Sequence, residues 1–362
     1  MKTLSIIVPT YNERENILVL VDRINRVLPG IDFEIVIVDD NSPDKTWEEG
    51  ERIHLLDPRV RVLRRVGRKG LSSAVIEGAL SSQTQFIAVM DGDLQHDETI
   101  LAAMLETAKQ GADLVIGSRY LKEAGVGDWE KKRTLLSQWG TKLTLKLIGH
   151  KVSDPLSGFF LMRKQLFSDC AEKLVGQGFK ILLDVLSNFP PGTITIKEVP
   201  FVFRRRSYGE SKLSPSTIKY FVEFLFIKTF GRYIPIRFVK FCLVGLGGAM
   251  VHFFLLYLFY RKFLFSYQLS LIIAIECAII SNYLYNNFWT FWEYRKIKAG
   301  LIGGLLRYNI ATAFGGVANF IISSYLLEHG FFWVWASLYG AMVGVLWNYT
   351  LSKVITWQSY SD

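Results

Sequence analysis

Asp91 and Asp93 stand either side of Gly92, directly behind the apolar run Phe86-Ile87-Ala88-Val89-Met90, with Gln95 two residues further on. The run reads as a buried strand, so both carboxylates leave its carboxyl end, where open α/β sheets place their ligands. Carboxylates at i and i+2 on such a turn can hold one hard divalent cation between themselves and a diphosphate. A solvated acidic turn is the plain alternative for an isolated Asp-x-Asp, and the strand in front weighs against it. A second strand, Glu34 to Val38, ends in Asp39-Asp40-Asn41-Ser42. One of those carboxylates can receive ribose or base donors, although Asp-Asn-Ser-Pro is also an ordinary helix-capping turn. A third, Leu4 to Val8, breaks at Pro9, and Thr10-Tyr11-Asn12-Glu13 then opens a helical pattern through Ile17, Leu20, Val21 and Ile24. Free backbone N–H groups at that helix start can meet an anion or an acceptor edge. Tyr11 offers a ring to lie against a base and Glu13 an acceptor.

Cations follow the same layout. Arg68-Lys69-Gly70-Leu71-Ser72-Ser73 is a basic turn leading into a helix with Ala74, Ile76 and Ala79 on its apolar face, and the strand Leu114-Val115-Ile116 ends in Gly117-Ser118-Arg119-Tyr120. Strands alternating with helices predict a largely parallel sheet in Rossmann-like layers. His96 reads as a loop or core residue rather than a ligand. Gly178-Phe179-Lys180 can border the nucleotide, although turn and core is the plainer reading.

From Phe238 onward the composition changes to long apolar stretches rich in Phe, Tyr, Trp and Gly. Four of them, Phe241 to Tyr260, Leu269 to Trp292, Leu305 to Leu327 and Phe331 to Leu351, are long enough to span a hydrocarbon core of roughly 30 Å. Met1 to Pro9 lacks a basic region and a cleavage site, so the amino-terminal domain is expected in the cytosol. Lys228, Arg232, Arg237 and Lys240 before the first span, and Arg295, Lys296, Lys298 and Arg307 between the second and third, put both positions inside; Arg261 and Lys262 outside run mildly against this. The formal charge of +9 comes with no nucleic-acid motif, which favours a membrane-facing protein with anionic ligands over a nucleic-acid binder. Cys170, Cys242 and Cys277 show neither metal nor disulfide spacing.

The membrane half repeats itself. Asn282-Tyr283 is followed by Trp289-Thr290-Phe291, and Asn348-Tyr349 by Ile355-Thr356-Trp357 at the same offset, while Gly247-Gly248 and Gly315-Gly316 echo more loosely. Two related helical hairpins are expected, with small residues permitting close approach and Asn282, Asn286, Asn319 and Asn348 bonding across helices. Glu276 stands apart as an ionisable residue within a span. Between the halves, Ser214 to Ile236 carries Ile218, Phe221, Val222, Leu225 and Phe226 on a helical period beside Lys219 and Lys228, and reads as an interfacial helix on the inner leaflet. The expected division is 1–213 catalytic, 214–236 interfacial and 237–362 transmembrane.

Seven ordered segments carry a family likeness: Pro9 to Glu13, Val38 to Asp44, Lys69-Gly70-Leu71, Asp91 to His96, Gly117 to Tyr120, Asp154 to Phe160, and Gly209 to Leu213. Together they resemble family 2 glycosyltransferases and, more narrowly, the polyprenyl-phosphate (dolichol-phosphate) mannose synthases, and the tail resembles the four-helix GtrA-like membrane domain. The resemblance implies a GT-A fold of α/β class followed by an all-α four-helix transmembrane domain. It implies Mg2+ or Mn2+ as cofactor, and inverting transfer of mannose from GDP-mannose to dolichyl or polyprenyl phosphate by a multi-pass enzyme of the plasma membrane. By the same resemblance Pro9, Tyr11, Glu13, Val38 and Asp40 hold the nucleoside, and Asp91, Gly92, Asp93 and Gln95 line the metal and diphosphate. Arg119, Arg133 and Ser137 bind the acceptor phosphate, and Arg206 and Lys212 close over the phosphates. Read from the residues themselves, Asp154-Pro155 is either a turn start or a carboxylate that orients Arg119 or a sugar hydroxyl. A UDP-glucose donor, a processive polysaccharide synthase and a lipid-sugar transporter are the alternatives; the synthase's Gln-x-x-Arg-Trp motif does not occur.

A phosphate acceptor changes what the site must supply. A monophosphate already carries an anionic oxygen near neutral pH, so it needs little help from a general base, and cations such as Arg119, Arg133 and Arg206 matter more.

Overall fold

The computed structural model describes residues 2–122, 144–145, 149–176, 180–204, 215–231, 233–298 and 300–357. Contacts divide the chain into two compact units, Met1–Thr229 and Phe230–Asp362.

The first unit is built on a seven-stranded sheet among the described residues. Its strands are β1 (Leu4–Thr10), β2 (Phe33–Asp39), β3 (Val60–Arg64), β4 (Phe86–Val89), β5 (Leu114–Ser118), β6 (Phe160–Arg163) and β7 (Ile196–Pro200), in the spatial order β3-β2-β1-β4-β6-β5-β7. β1 pairs in parallel with β2 and β4, β2 with β3, and β5 with β7. β6 runs antiparallel between β4 and β5. The sheet is therefore largely parallel, as the strand and helix alternation predicts, with one reversed strand that returns from beyond residue 150.

Helices α1 (Arg14–Val27), α2 (Thr46–Leu56), α3 (Leu71–Leu80) and α4 (Leu101–Lys109) are the crossovers of this half. Alternate strand residues point to opposite faces. Leu4, Ile6, Val8, Ile35 and Ile37 pack with Ile17, Leu20 and Ile24 of α1 and Leu101 and Leu105 of α4. Ile7, Val36 and Val38 pack on the other face with α3, with α5 (Lys164–Ala171) and with α6 (Ile181–Leu186). Both faces being covered explains why β1 and β2 are buried along their whole length rather than alternating polar and apolar. After β1 the chain builds β2 and β3 on one side and β4 on the other. The crevice at that reversal opens at the carboxyl ends of β1 and β4, where Tyr11 and Asp91 emerge.

Helix α7 (Pro215–Phe230) follows the sheet, and Phe224 and Leu225 pack into the cluster formed by α5 and α6.

The second unit contains α8 (Ile236–Tyr257), α9 (Tyr267–Tyr285), α10 (Gly300–Glu328) and α11 (Trp333–Leu351). Of its helices, Ile236–Lys262 and Gly300–Glu328 are long and apolar enough to cross a membrane. α8 packs on α9 and α10 on α11, giving the two hairpins that the repeat predicts. Gly248 of α8 lies so close to Asn282 that a Cβ there would overlap the amide, and Gly315 of α10 stands in the same relation to Asn348. The second apolar stretch, expected to run to Trp292, departs from regular helix at Asn286–Thr290, a wide turn with i to i+5 bonding. There Asn287 donates to and accepts from the Lys296 backbone at 3.0 and 2.8 Å, and Asn286 donates to the Tyr308 hydroxyl at 3.3 Å. Ser352–Thr356 makes the same wide turn, and the aromatic residues that follow, Phe291 and Trp357, stack at 4.3 Å. Glu276 is exposed on the surface of α9.

Candidate active site

The nucleoside candidates are neighbours because of strand register: Pro9 pairs with Val38 and Thr10 with Asp39. Pro9 and Val38 are buried, so contact with a ligand runs through their backbone. Asp39 is wholly buried and accepts from Thr10 Oγ1 at 2.9 Å, Ser42 Oγ at 2.6 Å and Ser42 N at 2.8 Å. Asp39 thereby locks the β1 and β2 loops together, and Asp40 stands outside that lock. Asn12 and Asn41 take positive φ values of 58° and 53°, a conformation asparagine tolerates better than most residues, and so turn both loops sharply at the strand ends. Tyr11 lies under Lys69, whose Nζ is 4.7 Å from the ring centroid and 3.2 Å from the hydroxyl. Glu13 is buried and accepts from Asn16 Nδ2 at 2.7 Å.

Asp40 is held by a residue that its local sequence does not single out. Arg65, buried at the end of β3, pairs with one oxygen of Asp40, donates to Ser73 Oγ at 2.7 Å and to the Gly70 carbonyl at 3.2 Å, and lies 3.2 Å from Glu77. The other Asp40 oxygen accepts the Gly70 N–H at 2.7 Å. Gly70 has φ of 136°, which excludes a side chain there. The Lys69-Gly70 turn is thereby bolted to the β2 loop, presenting Lys69 over Tyr11.

Asp91 and Asp93 leave β4 as expected. Asp93 is 5% exposed, and its Oδ1 accepts the Gln95 N–H at 3.2 Å. Leu94, at φ of 61°, reverses the chain between them and Gln95. The Gln95 amide donates to the Arg204 carbonyl at 3.1 Å, so only its Oε1 can serve a cation. Among the described residues no group of three His, Cys, Asp or Glu side chains gathers where a metal could sit. Two carboxylates still fit Mg2+ or Mn2+, which retain waters and take their remaining ligands from substrate phosphates. His96 is core, as read from the sequence: its ring stacks on Phe159 at 5.1 Å and meets the edges of Phe201 and Phe203. Its Nδ1 accepts the Asp91 N–H at 3.0 Å. Burial depresses its pKa to about 4, so it supports the Asp91 turn as a neutral ring.

Arg119 is gripped by Asp154 through a bidentate fork, Nε to Oδ2 at 2.7 Å and Nη2 to Oδ1 at 2.8 Å. The orienting role expected of Asp154 is present in the geometry. Burial acts to lower the Arg119 pKa, and hydrogen bonding and charge attraction from Asp154, with Tyr120 and Asp91, outweigh it, so the net direction is upward. A further layer lies beneath: Glu198 of β7 accepts the Ser153 N–H at 3.0 Å, Ser153 Oγ at 2.8 Å and the Asp154 N–H at 3.4 Å. Gly158 lets the same segment pass Asp91, since a Cβ there would stand 3.3 Å from Asp91 Oδ2 and from His96 Cε1.

Lys180 is coupled electrostatically to this group, where its sequence reading favoured turn and core over a place bordering the nucleotide. Burial pulls its pKa down to about 8, Arg119 pushes the same way, and Asp154 and Asp91 oppose. The Lys180 charge is thus coupled to those three groups, and the only local signal was a lysine opening an apolar helix. Arg204, two residues before Arg206, has its guanidinium committed to Asp97 and Glu98, each at 2.7 Å. Arg133, Ser137, Gly178, Phe179, Arg206 and Lys212 lie outside the described residues.

A mostly parallel α/β sheet thus opens a crevice at its carboxyl edge, with an acidic pair and the clamped Arg119 at hand, the place where such sheets bind their ligands. Residues 5–170 match Glycosyl transferase family 2, and residues 240–357 match the GtrA/DPMS transmembrane domain. The chain is 38% identical over 358 residues, 98% of its length and 99% of the relative's, to the dolichol-phosphate mannosyltransferase of Pyrococcus furiosus. It is 32% identical to the polyprenol monophosphomannose synthase of Mycolicibacterium smegmatis, over 59% of this chain and 82% of that one. Among solved structures, glucosyl-3-phosphoglycerate synthase from Mycobacterium tuberculosis, bound to Mn2+ and UDP-glucose, overlaps with a TM-score of 0.48 at 17% identity, covering 63% of this chain and 79% of that one. This chain belongs to glycosyl transferase family 2, as a glycosyltransferase carrying a GtrA/DPMS membrane domain.

Proposed function

We propose that the chain transfers mannose from GDP-mannose to the phosphate of a membrane dolichyl or other polyprenyl phosphate, with inversion at the anomeric carbon. The observation that carries this reading is Arg119 clamped by Asp154, on the same segment that passes Asp91 at Gly158: an anion site adjoining a donor site. His96, buried and neutral against an aromatic cluster, is not placed to act as a base, and a phosphate acceptor needs none. The kind of activity named for the Pyrococcus furiosus relative supports the same choice.

Tyr11, Glu13, Asp40 and the backbone at Pro9 and Val38 receive the nucleoside in this reading, and Lys69 reaches the crevice from its seat over Tyr11. Asp91 and Asp93, with Gln95 Oε1, would hold Mg2+ or Mn2+, which neutralises charge on the departing nucleoside diphosphate. Arg119 turns its planar cation toward the acceptor phosphate, held there by Asp154 and, behind it, Glu198. Lys180, its pKa held down to about 8 by burial, adds a second cation in this reading. Arg133, Ser137, Arg206 and Lys212 complete the phosphate contacts. The four helices of the second unit anchor the enzyme as a multi-pass protein of the plasma membrane, with the catalytic unit on the cytosolic side.

The test is a membrane-fraction assay with polyprenyl phosphate, Mg2+ or Mn2+, and separately labelled GDP-mannose and UDP-glucose, following label into the organic phase. Lipid-linked label from GDP-mannose that disappears in Asp93→Ala is the expected result. Label from UDP-glucose alone overturns the donor assignment, and no lipid-linked label from either overturns the acceptor.

A further inference from the structure

Asp184 is a carboxylate in an apolar place. It lies in the first turn of α6, 3% exposed, among Ile181, Leu182, Leu183 and Val185. A charge at such a site is costly unless several partners meet it. Its partners come from two directions. Oδ2 accepts the Val175 N–H at 2.6 Å and the Gly176 N–H at 3.3 Å, which fastens the turn ahead of Lys180. Oδ1 lies 2.8 Å from the ammonium of Lys228, in the last turn of α7. The Asp184 N–H makes the first helical bond of α6, to the Lys180 carbonyl at 3.0 Å, so the residue that holds Val175 and Gly176 lies one turn after Lys180.

Lys228 does not arrive alone. Phe224, one turn earlier on α7, is buried in the cluster that contains α6, and the Lys228 ammonium passes 5.8 Å from its ring. The aliphatic stem of Lys228 is covered and its charge is spent on Asp184, an arrangement with no value for a merely solvated lysine on an interfacial helix. α7 is the helix whose apolar period and lysines mark it for the membrane surface.

We propose that Asp184 is a positioning residue, paired with Lys228, that ties the membrane-side helix α7 to the Lys180 edge of the active site, so that seating of the helix aligns the acceptor phosphate with the donor. The inference rests on the mannosyl-transfer reading above, in which Lys180 is one of the phosphate-facing cations. The acceptor is fixed in depth by its bilayer anchor, whereas the donor is fixed by the sheet. A rigid link from the helix to Lys180 brings those two frames into register, and a misplacement of about 1 Å is enough to slow a transfer about a hundredfold.

The experiment uses the full-length enzyme in anionic phospholipid vesicles containing polyprenyl phosphate, comparing wild type with Lys228→Met, Asp184→Asn, Lys228→Arg and the Lys228→Met/Asp184→Asn double variant. The readouts are kcat, the KM for each substrate, and the unfolding midpoint. The expected result is kcat lowered about tenfold or more in each single neutral variant, with donor KM changed less than about twofold. The double variant should be no slower than the slower single variant, and Lys228→Arg should recover most of the rate. A lowered unfolding midpoint with wild-type kcat below it reduces the pair to a structural strut and overturns the proposal. A loss confined to donor KM overturns it too, because the link would then act on nucleotide binding. Absence of transfer by wild type in the same vesicles condemns the mannosyl-transfer reading instead, so the two failures are told apart.

Discussion

Asp91 and Arg119 do not act as lone side chains; each is set by others. Asp91 takes its place from Gly158, which leaves room for the passing segment, and from His96 beneath its backbone. Gly158→Ala should lower kcat several-fold while leaving the fold intact, because its methyl must displace the Asp91 carboxylate or the His96 ring by a few tenths of an ångström; steady-state kinetics alongside circular dichroism check this. Lys180 makes a pH prediction. Its pKa is about 8 in the fold against an ordinary 10.5, so between those values the unfolded chain binds the additional proton. This group's contribution to stability therefore rises with pH through that window and is a constant cost below it. An anionic donor or acceptor beside Lys180 raises its pKa again. Substrate binding near pH 8 should then draw a proton from solution in wild type and less in Lys180→Met, measured by titration calorimetry in buffers of differing ionisation enthalpy. Equal proton uptake in both would remove Lys180 from the site.

Helix pairs in the second unit are held by contacts for which only glycine is small enough. A Cβ at Gly315 would overlap the Asn348 amide and stand 2.8 Å from the Gly344 carbonyl, whereas Gly316 beside it has nothing within 4 Å. Gly315→Ala should therefore destabilise the hairpin by about 1–3 kcal/mol, while Gly316→Ala should be neutral or slightly stabilising through helix propensity. The same contrast applies to Gly248 and Gly247, which face Asn282 and open space respectively. Thermal unfolding in one detergent, compared across the four variants, tests it, and equal effects within each pair would show that the Gly–Asn contacts are incidental. The repeat visible in the chain thus corresponds to a packing device used once per hairpin. In the first unit the matching lesson is β6, whose antiparallel course no local pattern announces.

For the molecule as a whole, basic residues at alternate helix ends predict a topology. Lys262 and Lys298 flank α9 on opposite ends. In sealed inverted vesicles of a variant with Cys170, Cys242 and Cys277 replaced by serine, a membrane-impermeant maleimide should label Lys298→Cys at once and Lys262→Cys after permeabilisation only. Labelling of both from one side would remove the spanning arrangement of α9. Much of this protein was legible along the chain: the strand and helix alternation, the Asp91 and Asp93 turn, the position of Arg119 behind its strand, and the twofold echo of the helical half, in which two of the four expected spans are long and apolar enough to cross a membrane among the described residues. All are local, because each depends on periodicity or on a motif a few residues long, and side-chain period and turn chemistry act over that range. Asp39 and Asp40, adjacent in sequence, could not be told apart by spacing, and the family resemblance alone picked out Asp40; folding put one wholly inside the loop lock and the other beside Arg65. Arg65, Lys180, Glu198 and the Asp184–Lys228 pair acquire their roles from partners 25 to 45 residues away or from packed neighbours. Burial and charge pairing are properties of the assembled sheet and helices, and no spacing in the chain encodes which distant carboxylate a cation will meet.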